Sequence, residues 1–132
     1  MVCDEKSVVM IIDDMPAIIE HARQILKECY KLVPCTSGKQ ALEIINKVNP
    51  DIVLVDINMP DMDGYAVMEK IRQNPKFTDI PVIMITSELT NETETKGFEL
   101  GVDDFITKPF SPAAMIRRIS TQIRLHESGK SE

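Results

Sequence analysis

Ile52-Val53-Leu54-Val55-Asp56 is the stretch that decides the fold. Four consecutive aliphatic residues leave no polar position for a solvent-facing side, so a strand here is buried on both faces, as a central parallel strand must be. It stops on an acid. Three other segments repeat the pattern: Val8 to Ile12 runs into Asp13-Asp14, Val82 to Ile85 into Thr86, and Asp104-Phe105-Ile106-Thr107 into Lys108-Pro109. If the strands are parallel, these ends share one edge of the sheet. That edge then carries three carboxylates, a hydroxyl and an ammonium, a set suited to a divalent cation and a phosphoryl group.

The segments between these runs have helical period, so five strand–helix units follow one another and the fold class is α/β, a parallel sheet covered on both faces. The first helix places Ile18, Ile19, Ala22, Ile25, Leu26 and Cys29 at spacings of three and four, with Asp14 as cap and Pro16 in its first turn. A short strand near residues 31–35 leads to Ser37-Gly38-Lys39-Gln40, a capping box, and a helix that stops before Pro50. The helix after Asp63-Gly64 carries Val67, Met68 and Ile71 and closes at Asn74-Pro75. Residues 90–100 have helical propensity but a weak apolar face, which predicts a loosely held helix ended by Gly101. Ser111-Pro112 starts a last helix with Met115, Ile116, Ile119 and Ile123. Residues 1–126 read as one domain and the polar residues 127–132 as a frayed tail or the start of a linker.

Composition narrows the function classes. The chain has 132 residues, enough for one domain burying roughly 68% of its unfolded surface. Fifteen basic residues against 21 acidic ones give a net charge of -6, which argues against a nucleic-acid surface and for a protein partner. No apolar stretch reaches the roughly 20 residues of a membrane span, and the first residues carry no signal-peptide pattern, so the expected location is cytoplasmic. The three cysteines, Cys3, Cys29 and Cys35, have no Cys-x-x-Cys spacing; Cys29 and Cys35 read as small core hydrophobes, with no disulfide framework or zinc site. His21 and His126 are isolated and read as surface residues of helices.

Ligands bind such sheets beyond the carboxyl ends of the strands. Two carboxylates held about 4 Å apart at an effective dielectric near 20 repel by roughly 4 kcal/mol, so an acidic trio there calls for a cation. Oxygen ligands with room for water favour Mg²⁺ over zinc. With the ion offsetting charge, Asp56 is the natural nucleophile toward a phosphoryl group, Lys108 pairs with phosphoryl oxygens, and Thr86 donates a hydrogen bond to one. The product is a mixed anhydride that hydrolyses in time.

Taken together, Asp13-Asp14, the run Asp56-Ile57-Asn58-Met59-Pro60-Asp61-Met62-Asp63-Gly64, Thr86 and Lys108-Pro109-Phe110 resemble the receiver domain of bacterial two-component response regulators, over nearly the whole chain. The resemblance implies a flavodoxin-like, doubly wound fold of strand order 2-1-3-4-5 with five helices, and a cis Lys108-Pro109 bond. It implies Mg²⁺ on Asp13, Asp14, Asp56 and the Asn58 carbonyl, with a sensor histidine kinase or phosphotransfer protein as donor. Thr86 and Phe105 fill the family's switch positions. Phe105 stands where tyrosine is commoner and lacks its hydroxyl. Asn58 and Glu88 fill the positions that tune loss of the phosphoryl group.

Two other classes compete with this reading. A receiver-shaped interaction domain that does not use phosphate is disfavoured by the intact Asp56, Lys108 and acidic pair. An aspartyl-phosphate phosphatase of the haloacid-dehalogenase kind is disfavoured because Asp61 and Asp63 follow a turn and not a buried strand. The face formed by the last two helices and the fifth strand is the expected interaction surface. Arg117 and Arg118 with Asp103 and Asp104 read there as a solvated charged surface, with a homodimer ion-pair face as the alternative.

Overall fold

The computed structural model describes residues 7–130, with side chains described to residue 128. Five strands alternate with five α-helices: β1 Ser7–Ile12, α1 Pro16–Leu26, β2 Tyr30–Cys35, α2 Gly38–Val48, β3 Ile52–Asp56, α3 Gly64–Gln73, β4 Val82–Thr86, α4 Asn91–Glu99, β5 Asp104–Thr107 and α5 Pro112–Lys130. One turn of 3₁₀-helix, Pro75–Phe77, separates α3 from β4. All strand pairs are parallel, in the order β2-β1-β3-β4-β5, which is the flavodoxin-like order the resemblance implied.

β3 and β4 are buried at every residue, because α-helical layers cover both faces. Alternate strand residues feed two cores. Met10, Val53, Val55 and Met84 point toward α2 and α3, with Val67, Met68 and Ile71; Val9, Leu54, Ile83 and Ile85 point toward α1 and α5, with Ala22, Leu26, Met115 and Ile119. α4 has only Gly97 buried, in keeping with its weak apolar pattern.

Local chemistry departs from the sequence reading at four points. Met15, not Asp14, occupies the N-cap of α1 and makes no side-chain cap. Ser37 caps α2 through the Gln40 amide as expected, but the Gln40 side chain accepts from the Thr36 amide, one residue before the cap. Cys29 lies beyond the end of α1, is half-buried and is disulfide-bonded, so among the described cysteines only Cys35 is a buried free thiol. Residues 127–130 continue α5 instead of fraying.

Candidate functional site

β1, β3 and β4 deliver their terminal polar residues to one edge, and each end is extended by one backbone bond past the regular ladder. The Asp13 amide donates to the Cys35 carbonyl (3.0 Å), Ile57 to Ile85 (3.0 Å), and Lys108 to Thr86 (2.9 Å). The acid, hydroxyl and ammonium residues are thus fixed by the neighbouring strands and not by flexible loops. Asp13, Asp56 and Thr86 are the buried polar or charged side chains of the described residues.

Asp13, Asp14 and Asp56 each offer a carboxylate oxygen within 4.8 Å of the others. Backbone amides hold one side of two of them: Met15 donates to Asp13 Oδ1 at 2.9 Å and Asn58 to Asp56 Oδ1 at 3.3 Å. The opposite oxygens face Lys108, whose Nζ lies 3.1 Å from Asp13 Oδ2 and 3.5 Å from Asp56 Oδ2. Despite that short charge contact, Asp13 Oδ2 accepts no hydrogen bond, the one buried side-chain polar atom among the described residues left so. An orphaned, fully buried carboxylate oxygen beside two further acids fits a hard divalent cation, and the all-oxygen donor set fits Mg²⁺ better than zinc. Burial, and secondarily the charge of Asp13, raises the Asp56 carboxyl above its usual range; Lys108 and the Asn58 amide oppose this.

Gly64 sets the loop that follows Asp56. Its amide donates to the Ile57 carbonyl at 2.8 Å, and a Cβ at this position would lie 2.5 Å from the Asp56 carbonyl oxygen. No other residue permits that approach. In the sequence this glycine reads as the end of the turn after Asp56 and the start of a helix, but nothing there sets it against the Asp56 carbonyl; periodicity encodes no such approach. Asp63 caps α3 through the Ala66 amide, and Asp61 holds a positive φ of 67°. Asn58 and Glu88 are exposed at the rim.

The Thr86 hydroxyl donates to the Glu88 carbonyl and accepts from the Glu88 amide, both at 3.1 Å. Phe105, expected to swing inward as part of a switch, is already buried. The Lys108-Pro109 bond is cis. Phe110 packs in the α1–α5 core, with the His21 ring 5.5 Å from its own. Asp103 and Asp104 are engaged within the chain, by Arg72 at 3.3 Å and by Arg118 at 2.8 Å. A cleft of about 800 Å³ bordered by Tyr65 and Lys96 lies between α3 and α4 and includes none of the acidic cluster.

The model of one protein family, the response regulator receiver domain, matches residues 9–120. The chain belongs to that family. It is a receiver domain of two-component signalling, with the fold seen here. A "Probable cyclic di-GMP phosphodiesterase" of Vibrio cholerae serotype O1 is 40% identical over 116 residues, covering 88% of this receiver and 26% of that protein. A "Probable transcriptional regulator ycf27" of Porphyridium aerugineum is 34% identical, covering 96% and 52% respectively. The receiver therefore spans from about a quarter to about half of the length of these relatives. Among solved structures, a CheY-like response regulator receiver domain protein of Methanospirillum hungatei matches with a TM-score of 0.86 at 26% identity, covering 95% of this chain and 99% of that one. Among the described residues no helix is long and apolar enough to cross a membrane.

Proposed function

We propose that Asp56 is the phosphoacceptor of this receiver domain and that the domain catalyses only its own phosphorylation and dephosphorylation. The observation that carries this is the pair of buried carboxylates, Asp13 and Asp56, turned toward one lysine with a carboxylate oxygen left without a hydrogen bond. An Asp56 carboxylate oxygen attacks the phosphorus of a phosphohistidine; the phosphorus–nitrogen bond breaks, and the imidazole leaves with the electron pair and takes up a proton. The donor is a sensor histidine kinase or a phosphotransfer protein, and the location is cytoplasmic.

Asp13, Asp14 and Asp56 would hold Mg²⁺, with the Asn58 carbonyl added by family likeness; when bound, the ion offsets the repulsion between carboxylate and phosphate. Lys108, already within ion-pair reach of Asp56, turns to the phosphoryl oxygens once they arrive. Thr86 gives up the Glu88 carbonyl to donate to the same group, which pulls on residues 87–90 and hence on α4. Asn58 and Glu88 flank the path of the water that hydrolyses the acyl phosphate. The relatives are named for different outputs, a phosphodiesterase and a transcriptional regulator, so the proposal concerns the input side of signalling. For the output side, the groove of about 220 Å³ between α4, β5 and α5, with exposed Leu89 and Phe98, is the proposed face for a target or a second copy.

Intact-protein mass after incubation with acetyl phosphate tests the reading. A single phosphate adduct is expected, dependent on Mg²⁺ and lost in Asp56→Asn. An adduct that survives the substitution assigns the chemistry to another carboxylate; no adduct in the native chain overturns the proposal.

A further inference from the structure

We infer that the Phe105 ring is locked inward in both the unmodified and the phosphorylated domain, with Gly97 and Phe98 of α4 as the lock, so that its position is not what phosphorylation changes. The inference rests on the phosphoacceptor reading for its second state only.

Three observations converge. First, Gly97, the buried residue of α4, lies directly on the ring: a Cβ there would stand 2.5 Å from Phe105 Cζ and 3.2 Å from Cε1. The helix backbone therefore closes over the ring tip, and the floor beside it is Val102, whose Cγ1 would meet the same Cβ at 3.0 Å. Second, Phe98, also of α4, packs edge-to-face on the same ring, with centroids 5.3 Å apart at 88°, while being itself half exposed. Edge-to-face is a favoured arrangement for two aromatic rings. Third, the Thr86 hydroxyl is held by the backbone of Glu88 while the ring is inward. Ring burial thus does not wait for the hydroxyl to move toward Asp56.

Chemistry explains why the ring stays. A phenyl group has no hydroxyl to draw it toward water or to bond a loop carbonyl. Outward rotation would carry apolar surface into solvent, forfeit the Phe98 contact, and open a void under Gly97 that nothing else fills. The moving parts are then Thr86 and residues 87–90, and α4 responds to that loop at its Asn91 end while its Gly97–Phe98 end stays over the ring.

Incorporating 3-fluorophenylalanine into the full chain tests this, because only Phe77, Phe98, Phe105 and Phe110 are labelled and Phe105→Leu identifies the Phe105 line. The difference in fluorine shift between H₂O and D₂O reads solvent contact. Phe105, which borders the groove with 5% of its surface exposed, should show only a small effect, the same before and after treatment with acetyl phosphate and Mg²⁺, with the adduct verified by mass; half-exposed Phe98 should show a clear one. Gly97→Ala should bring the Phe105 effect to at least half that of Phe98. Phe98→Ala should raise it as well, and serves alone if Gly97→Ala does not fold. A Phe105 effect approaching that of Phe98 in either state of the native chain, or one unchanged in the folded variants, overturns the lock. If no adduct forms, the phosphoacceptor assignment fails, while the unmodified chain and the variants still decide the lock.

Discussion

The two edges of the sheet each set a half-buried cation against aspartate, and they treat it differently. At the amino edge, Arg72 donates to the carbonyls of Ile80 (2.6 Å), Phe77 (3.4 Å) and Gly101 (2.8 Å), and pairs with Asp103, whose carboxylate also accepts from the Val82 amide. At the carboxyl edge, Lys108 faces two carboxylates and leaves an oxygen of Asp13 without a hydrogen bond. The first network is complete and ties α3, the turn before β4 and the start of β5 together. The second is short of a partner. Polar networks that are closed serve the fold; one left open at a strand end is held open for something that binds.

Substitutions can break this contrast. Asp56→Asn should abolish the phosphate adduct outright in the mass assay, whereas Arg72→Met should leave the adduct intact. The cost of Arg72→Met falls on stability, about 1–2 kcal/mol, since it unpairs the part-buried carbonyls of Phe77 and Ile80 while Asp103 keeps solvent and the Val82 amide; urea unfolding measures it. A loss of adduct in Arg72→Met without unfolding would mean the two edges are not separate. Asp13→Asn should act on cation binding instead. It removes repulsion from Asp56 but also the 3.1 Å ion pair with Lys108, keeps the bond from Met15, and leaves the stability of the Mg²⁺-free domain within about 1 kcal/mol, while the rise in Tm on adding Mg²⁺ disappears.

The same logic fixes a pH trend. The Asp56 carboxyl is raised above its ordinary 3.8 in the folded chain, so between that value and its folded value the native state binds more protons than the unfolded one. Its contribution is full below the ordinary value and is lost as pH climbs through the raised one. In Mg²⁺-free buffer the urea midpoint of Asp56→Asn should therefore gain on that of the native chain as pH rises from about 4. A constant gap would contradict the burial argument. The smallest effect is expected at Arg118, whose pair with Asp104 is largely solvent-exposed; Arg118→Ala should change stability by less than about 1 kcal/mol.

The strands were legible because buried parallel strands must be aliphatic throughout, and Ile52 to Val55 or Val82 to Ile85 admit no other reading. The acidic cluster was legible for a related reason: a polar residue directly after such a run has only the sheet edge to occupy. What failed were local choices among several nearby donors and acceptors. Asp14 was available as a cap, but the chain gives the cap position to Met15 and leaves Asp14 among the metal-fitting oxygens. Gln40 could reach two amides and took that of Thr36. The Arg72 network joins residues 29 and 31 positions apart, and no periodicity encodes such a meeting. Gly97 carries no signal in the pattern of residues 90–100; the ring beneath it explains its presence.

The bond from Gly64 to the Ile57 carbonyl closes the segment between them into a small ring hung from the end of β3. Residues 58–63 are fastened at both ends, by the Asn58 amide on Asp56 Oδ1 and by Asp63 on the Ala66 amide of α3, and Met59 and Met62 pack against the core. Between those ties the side chains of Asn58 and Pro60 face solvent, so they can be exchanged without unfastening the loop from β3 or from α3.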